Sequence, residues 1–286
     1  GKQAVTDENG RITSCGDTVL GADDFAGVSA ILEGVASLLE SGATHPTLEL
    51  LFTTGEEHFC VGAKAFDAQR LQSKTAYVMD LSGPVGDCAV AAPTLITFSA
   101  EVMGKAAHAG FAPEDGVHAI QVAAAAVANL PSGRWGDVTV NVGTISGGRA
   151  TNIVPDSCTV TGEIRALCHQ DALDRLNEIH SEFVEQAQAV DAKLNFNHTI
   201  HITGYRVDTD APVAQRFKRA CEAVGVAPRF TDTYGGSDCN ILSAHGIQGL
   251  VVATAMNNCH AVSEYTTVEE LCRAGRLAQA LMEKQD

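Results

Sequence analysis

A chain of 286 residues, 45% of them hydrophobic, is globular and long enough to bury two modest cores. Its formal net charge of −16, with no basic run anywhere, excludes a nucleic-acid groove and opposes attachment to an anionic membrane. No stretch reaches the roughly 18 apolar residues of a membrane span. Nine cysteines lie scattered, odd in number and without a CxxC pair, which points to a reduced, cytoplasmic protein rather than a disulfide framework. The chain opens on Gly1 rather than Met, and a further N-terminal portion is expected.

Val28, Ile31, Leu32, Val35, Leu38 and Leu39 recur at helical spacing and predict a helix over 25–41, closed by Ser41-Gly42. The apolar run at 48–53, interrupted only by Glu49, predicts a strand. A short helix near 63–71 and a strand at 76–81 follow. Largely apolar strands alternating with helices predict an α/β sheet covered on both faces. Near Ala92-Pro93 the rhythm changes. Strands at 94–103, 137–144, 157–166 and 193–203 and helices at 117–129 and 170–190 give the order βαββαβ, a split-βαβ or ferredoxin-like α+β domain. The α/β pattern then resumes with a helix at 211–224, a strand at 249–254 and a helix at 268–283 capped by Thr266 or Thr267. The expected architecture is a catalytic α/β domain, 1–92 and 205–286, interrupted by an inserted domain over 93–204.

Acidic and histidine residues fall at the ends of the outer domain's elements. Asp23 and Asp24 precede the first helix, Glu56-Glu57 follow the strand at 48–53, Asp80 ends that at 76–81, and His260 follows that at 249–254. Ligands of open α/β sheets bind beyond the carboxyl ends of strands, so these residues can converge. Two adjacent carboxylates beside a buried strand are costly without a cation. Each also has a plainer role. Asp24 suits a helix cap, Asp80 a turn with Gly83-Pro84, His260 a structural histidine, and Cys259 a buried structural thiol. Oxygen and imidazole donors without an obligatory thiolate suit Zn²⁺, or else Mn²⁺ or Co²⁺.

Five motifs occur in order: Gly21-Ala22-Asp23-Asp24, Thr54-Gly55-Glu56-Glu57, Gly104-Lys105-Ala106-Ala107-His108-Ala109-Gly110, Gly235-Gly236-Ser237-Asp238 and His260-x-x-x-Glu264-Tyr265. Together they resemble the co-catalytic zinc metallopeptidases that include peptidase T, carboxypeptidase G and succinyl-diaminopimelate desuccinylase, over almost the whole chain. The resemblance implies that the inserted domain is a lid and dimerisation domain of a homodimer. It implies that Asp23 bridges two metals, that Glu57 and His260 complete one set and that Asp80 binds the other ion. Glu56 would be the general base, taking a proton from water and delivering it to the leaving amine. His108 would serve the partner subunit's site, Asn152 would lie near substrate, and Arg165 would grip a substrate carboxylate or form a strand-end salt bridge.

Two departures stand out. The family's upstream His-x-Asp motif is missing before Asp23, and His169-Gln170-Asp171 lies in the inserted domain, so of the family's two zinc ions at most one per chain is expected to be held tightly. Phe25 stands where close relatives place lysine. The implied activity is peptidase T-like aminopeptidase hydrolysis of small peptides. An N-acyl-amino-acid deacylase or carboxypeptidase on the same site is the next reading. A catalytically silent relative, binding peptide or metal or serving as a dimer scaffold, is the third.

Overall fold

In a computed structural model, which describes residues 3–284, the chain forms two compact units. One runs to Ala92 and resumes at Arg206; the other is Pro93–Tyr205. In chain order the first unit begins with β1 (Ala4–Thr6), β2 (Arg11–Ser14), α1 (Ala22–Ser41), α2 (Val61–Ala65), β3 (Thr75–Ser82) and β4 (Asp87–Ala92). The second contains β5 (Thr94–Met103), α3 (Ala119–Asn129), β6 (Gly133–Trp135), β7 (Val138–Gly147), β8 (Ser157–Ala166), α4 (His169–Gln188) and β9 (Lys193–Ile202). After β10 (Tyr205–Arg206) the first unit resumes with α5 (Pro212–Ala223), β11 (Arg229–Asp232), α6 (Asp238–Ala244), β12 (Gln248–Met256), β13 (Tyr265–Thr267) and α7 (Val268–Met282).

The Pro93–Tyr205 unit follows the expected split-βαβ order, with the short β6 added at one edge. Its sheet runs β6-β7-β8-β5-β9, and β5 pairs antiparallel with both β8 and β9. Alternation along β5 and β8 sends Ile96, Phe98, Val102, Val160 and Ile164 to one face, where they pack with Val122, Ile179 and Phe183 of α3 and α4.

The other unit has a mixed sheet, β10-β4-β12-β3, with β11 parallel to β4. Its buried strand β12 runs parallel to β3 and antiparallel to β4. A separate sheet joins β1, β2 and β13. Helix α1 buries small residues, Ala22, Ala26, Gly27, Ala30 and Gly34, along with Leu38. A Cβ at Gly27 would stand 2.0 Å from the Met79 carbonyl oxygen on β3, and one at Gly34 would stand 2.9 Å from the Gln279 nitrogen on α7. The small residues therefore let α1 approach both elements at backbone distance. Gly21 is the N-cap residue of α1; Asp24, at a kink in the first turn, accepts from the Gly27 N–H at 3.0 Å, and Thr267 caps α7, accepting from Glu270.

One expected element differs. Residues 48–53 join no sheet, because β3 pairs with β12 alone and a cavity separates it from this segment. No side chain of the segment is buried, with Leu50 47% and Phe52 49% exposed, and its apolar residues line the cavity without a ladder neighbour. The expected helix near 63–71 divides into α2 and a 3-10 turn, Ala68–Arg70.

Gly27→Ala should cost about 2–3 kcal/mol of stability through overpacking against β3. Urea unfolding of the two proteins measures this, and an unchanged midpoint would contradict the close approach.

Candidate metal centre

Three segments distant in sequence meet in the first unit. Asp23 sits at the first turn of α1, and Oδ2 of its carboxylate lies 3.0 Å from Nε2 of His260. That nitrogen is also 3.1 Å from Oε1 of Glu57. One donor atom from each residue lies within 4.8 Å of the other two. Asp80 is outside this trio; it stands on β3 and lines the same cavity of about 720 Å³, with Asp24, Glu56 and Asp238. Phe25, 72% exposed, also borders the cavity.

The Glu56-Glu57 doublet forms a 3-10 turn with His58, entered through Gly55 at φ 69°. The two side chains diverge, Glu57 toward His260 and Glu56 toward the Cys60 thiol, whose Sγ is 3.7 Å from Oε1 of Glu56. Phe59 and Cys60 follow in left-handed conformation, at φ 61° and 58°. Such a conformation costs roughly 1–2 kcal/mol per non-glycine residue. Here it is held by the Cys60 N–H on the Glu56 carbonyl at 2.8 Å and the Gly62 N–H on the Thr54 carbonyl at 2.9 Å.

Glu264 has a position that its place in the last motif did not reveal. It is 1% exposed, and its Oε2 and Oε1 accept the backbone N–H groups of Gly21 at 2.7 Å and Asp23 at 2.9 Å. It thereby fastens the loop that carries Asp23 to the loop that carries His260. Asp238, in the Gly-Gly-Ser-Asp motif, accepts from the Thr53 hydroxyl. Both acids were visible in their motifs, but neither had a periodicity or spacing that gave it a role. Cys259 is half-buried and outside the donor trio.

Burial dominates the electrostatics. It pushes Asp80 up to about 9, with Asp24, Glu56, Asp23 and Asp238 adding repulsion. Asp24 rises to about 8 through burial, opposed by its bond from Gly27 and reinforced by Asp23 and Glu56. Glu56 rises to about 7 through burial, then Glu57 and Asp238. Such a pocket fits a divalent cation, and two carboxylates with one imidazole are donors suited to zinc. Asp23, Glu57 and His260 would hold it.

The remaining expected site residues lie in the Pro93–Tyr205 unit. His108 and Ile153 form a β-bridge, and the Ala109 N–H donates to the Asn152 carbonyl at 3.0 Å, so the His108 and Asn152 segments are neighbours. Nδ1 of His108 accepts from the Gly110 and Phe111 N–H groups at 3.1 and 3.2 Å. In the neutral ring that acceptor role places the proton on Nε2. Arg165 pairs with Glu163, Nε to Oε1 at 2.9 Å, so its fork is engaged within β8.

Residues 90–191 match the family model of the peptidase dimerisation domain, and 6–110 match that of peptidase family M28. An uncharacterised protein of Bacillus subtilis, YqjE, is 33% identical over 97% of this chain and 75% of its own length. Peptidase T of Alkaliphilus oremlandii is 26% identical, over 95% of this chain and 67% of its own. The crystal structure of aminopeptidase PepT from Bacillus cereus matches with a TM-score of 0.93 at 36% identity, covering 99% of this chain and 76% of that one.

Replacing Glu264 by Ala should weaken zinc binding about 10–100-fold, the usual effect of losing a group that orients a ligand. Calorimetric titration measures this; unchanged affinity would mean that the Asp23 loop holds its place without the carboxylate. A second expectation concerns metal-free protein. Asp24, Glu56 and Asp80 have folded-state values raised to about 7–9. Between the ordinary carboxylate range and those values, the unfolded chain ionises first, so stability should fall as pH rises from about 4 toward 9. Thermal unfolding of chelator-treated protein should show a higher midpoint at pH 5 than at pH 8, with zinc restoring stability at pH 8. A midpoint that rises with pH would refute this account.

Proposed function

The chain belongs to the co-catalytic zinc metallopeptidase family close to peptidase T, and from that premise we propose that it cleaves small peptides as an aminopeptidase, with Glu56 as the general base. The observation that carries the reading is the convergence of Asp23, Glu57 and His260 beside a separately directed Glu56. Zinc is the cation that suits this donor set best, with manganese or cobalt as substitutes. When bound, the cation polarises the scissile carbonyl and lowers the pKa of water. Asp80, with Asp23, would hold a second ion.

Glu56 removes a proton from the attacking water and returns it to the departing amine, so the proton count closes within the cavity. His108, held by two backbone N–H groups on Nδ1, presents Nε2–H as a donor suited to a peptide carbonyl oxygen. Asn152 contributes a neighbouring amide on the substrate side. The match to the dimerisation domain supports a homodimer in which His108 serves the partner's site. Nine cysteines that form no disulfide support a cytoplasmic setting. Among the described residues, no helix is long and apolar enough to cross a membrane. A binding-only role draws on Asp80 standing apart from the trio and on the exposed Phe25.

Glu56→Gln should lower kcat on free-amino tripeptides by at least about 10²–10⁴-fold while leaving metal content intact. Loss of metal instead would exchange the roles of Glu56 and Glu57. Hydrolysis of N-acylated amino acids in preference to tripeptides would move the assignment to a deacylase, and no hydrolysis of either by metal-loaded protein would favour the binding role. Mixing His108→Ala with Glu56→Gln subunits should regain activity. No recovery in verified mixed dimers would place His108 in the service of its own chain.

A further inference from the structure

Glu56 is held by more than its own backbone. The Cys60 thiol donates to Oε1 of Glu56 across 3.7 Å, a distance suited to sulfur, while the Cys60 backbone N–H donates to the Glu56 carbonyl at 2.8 Å. One residue thus grips both ends of the acid. Cys60 is 2% exposed, so water does not compete for its thiol. Behind it stands Asp238, the first residue of α6. Thr53 donates its hydroxyl to Oδ2 of Asp238, and Oδ1 is buried without a hydrogen-bond partner. Burial, then Glu56 and Asp238, push the thiol pKa far up. The group therefore stays a neutral S–H at working pH, and beside an ionised carboxylate a thiol acts as a donor.

We propose that Cys60 is a positioning residue that aims the Glu56 carboxylate. The thiol occupies Oε1 and leaves Oε2 as the atom that exchanges a proton in the cavity. A weak neutral donor is well matched to such aiming. It fixes orientation without the strong stabilisation of the anion that an ammonium or guanidinium would bring, and Glu56 remains basic. No bond to sulfur forms or breaks. The assignment rests on Glu56 being the base.

Cys60→Ala and Cys60→Ser, in metal-loaded protein assayed on a free-amino tripeptide, separate aiming from packing. Alanine removes the donor and should lower kcat about tenfold with KM and metal content nearly unchanged. Serine keeps a donor and should recover activity to within about threefold of the parent. Infrared spectroscopy gives an independent readout: the buried S–H band that disappears in Cys60→Ala should move to higher frequency in Glu56→Gln, where a weaker acceptor faces it. Full kcat in Cys60→Ala beside an inactive Glu56→Gln would overturn the positioning role and leave the base assignment standing. Equal loss in the alanine and serine variants, or an S–H band indifferent to Glu56→Gln, would also overturn it. An active Glu56→Gln would remove the base assignment and this inference with it.

Discussion

Carboxylates resist leaving water and repel one another, so a cavity lined by Asp23, Asp24, Glu56, Glu57, Asp80 and Asp238 needs compensation at every member. The protein supplies it by different means at different residues, and at Asp80 burial instead pushes the carboxyl up to about 9, toward its neutral form. Backbone N–H groups serve Asp24 through Gly27, and they serve Glu264 through Gly21 and Asp23. Hydroxyl and thiol donors serve Asp238 and Glu56. Asp23 and Glu57 instead share the ring nitrogen of His260, and theirs are the positions a cation would fill. The assignment of roles follows from this division. On the proposed assignment, Glu56, already supplied with a donor, would move protons, while Asp23 and Glu57, and Asp80 beside Asp23, would hold metal.

The surrounding fold can be read as the means of meeting that requirement. Backbone approach of α1 to β3 at Gly27 sets the Asp24 end of the helix beside the strand that carries Asp80. Glu264 then ties the helix entrance to the loop after β12, across 243 residues of sequence. Its burial as a carboxylate is tolerable because both oxygens accept backbone donors. The placement of Asp23 thus depends on a residue outside the donor trio.

Much of the scaffold was legible because strict alternation or helical spacing marks it. The strands β5 and β8 and the helix α4 repeat their buried positions regularly, and the βαββαβ order followed from them. The short elements were not legible. The strand β4 reads Asp-Cys-Ala-Val-Ala-Ala, poor in β-branched residues, and is held by neighbours on both sides. At 48–53 the reverse holds, since an apolar pattern promised a strand where no ladder partner stands. At the site, residue types and motif order pointed to Asp23, Glu57 and His260, which come together. Glu264 and Cys60 escaped because their roles are defined by partners in space: two backbone N–H groups for one, a single carboxylate oxygen for the other.

The turn after the doublet joins these threads. Adjacent side chains in a turn diverge, but divergence alone does not decide where each carboxylate points. Gly55 opens the turn at positive φ without steric cost, whereas Phe59 and Cys60 adopt the same region as non-glycine residues. Glycine at position 60 would relieve strain and still donate its backbone N–H to the Glu56 carbonyl. It could not supply the thiol. The side chain carried at this positive φ makes its contact with Oε1 of Glu56. Strain in the backbone of residues 59 and 60 and order in the carboxylate of Glu56 are therefore two sides of the same turn. Glu57, directed away from that contact, faces His260 instead.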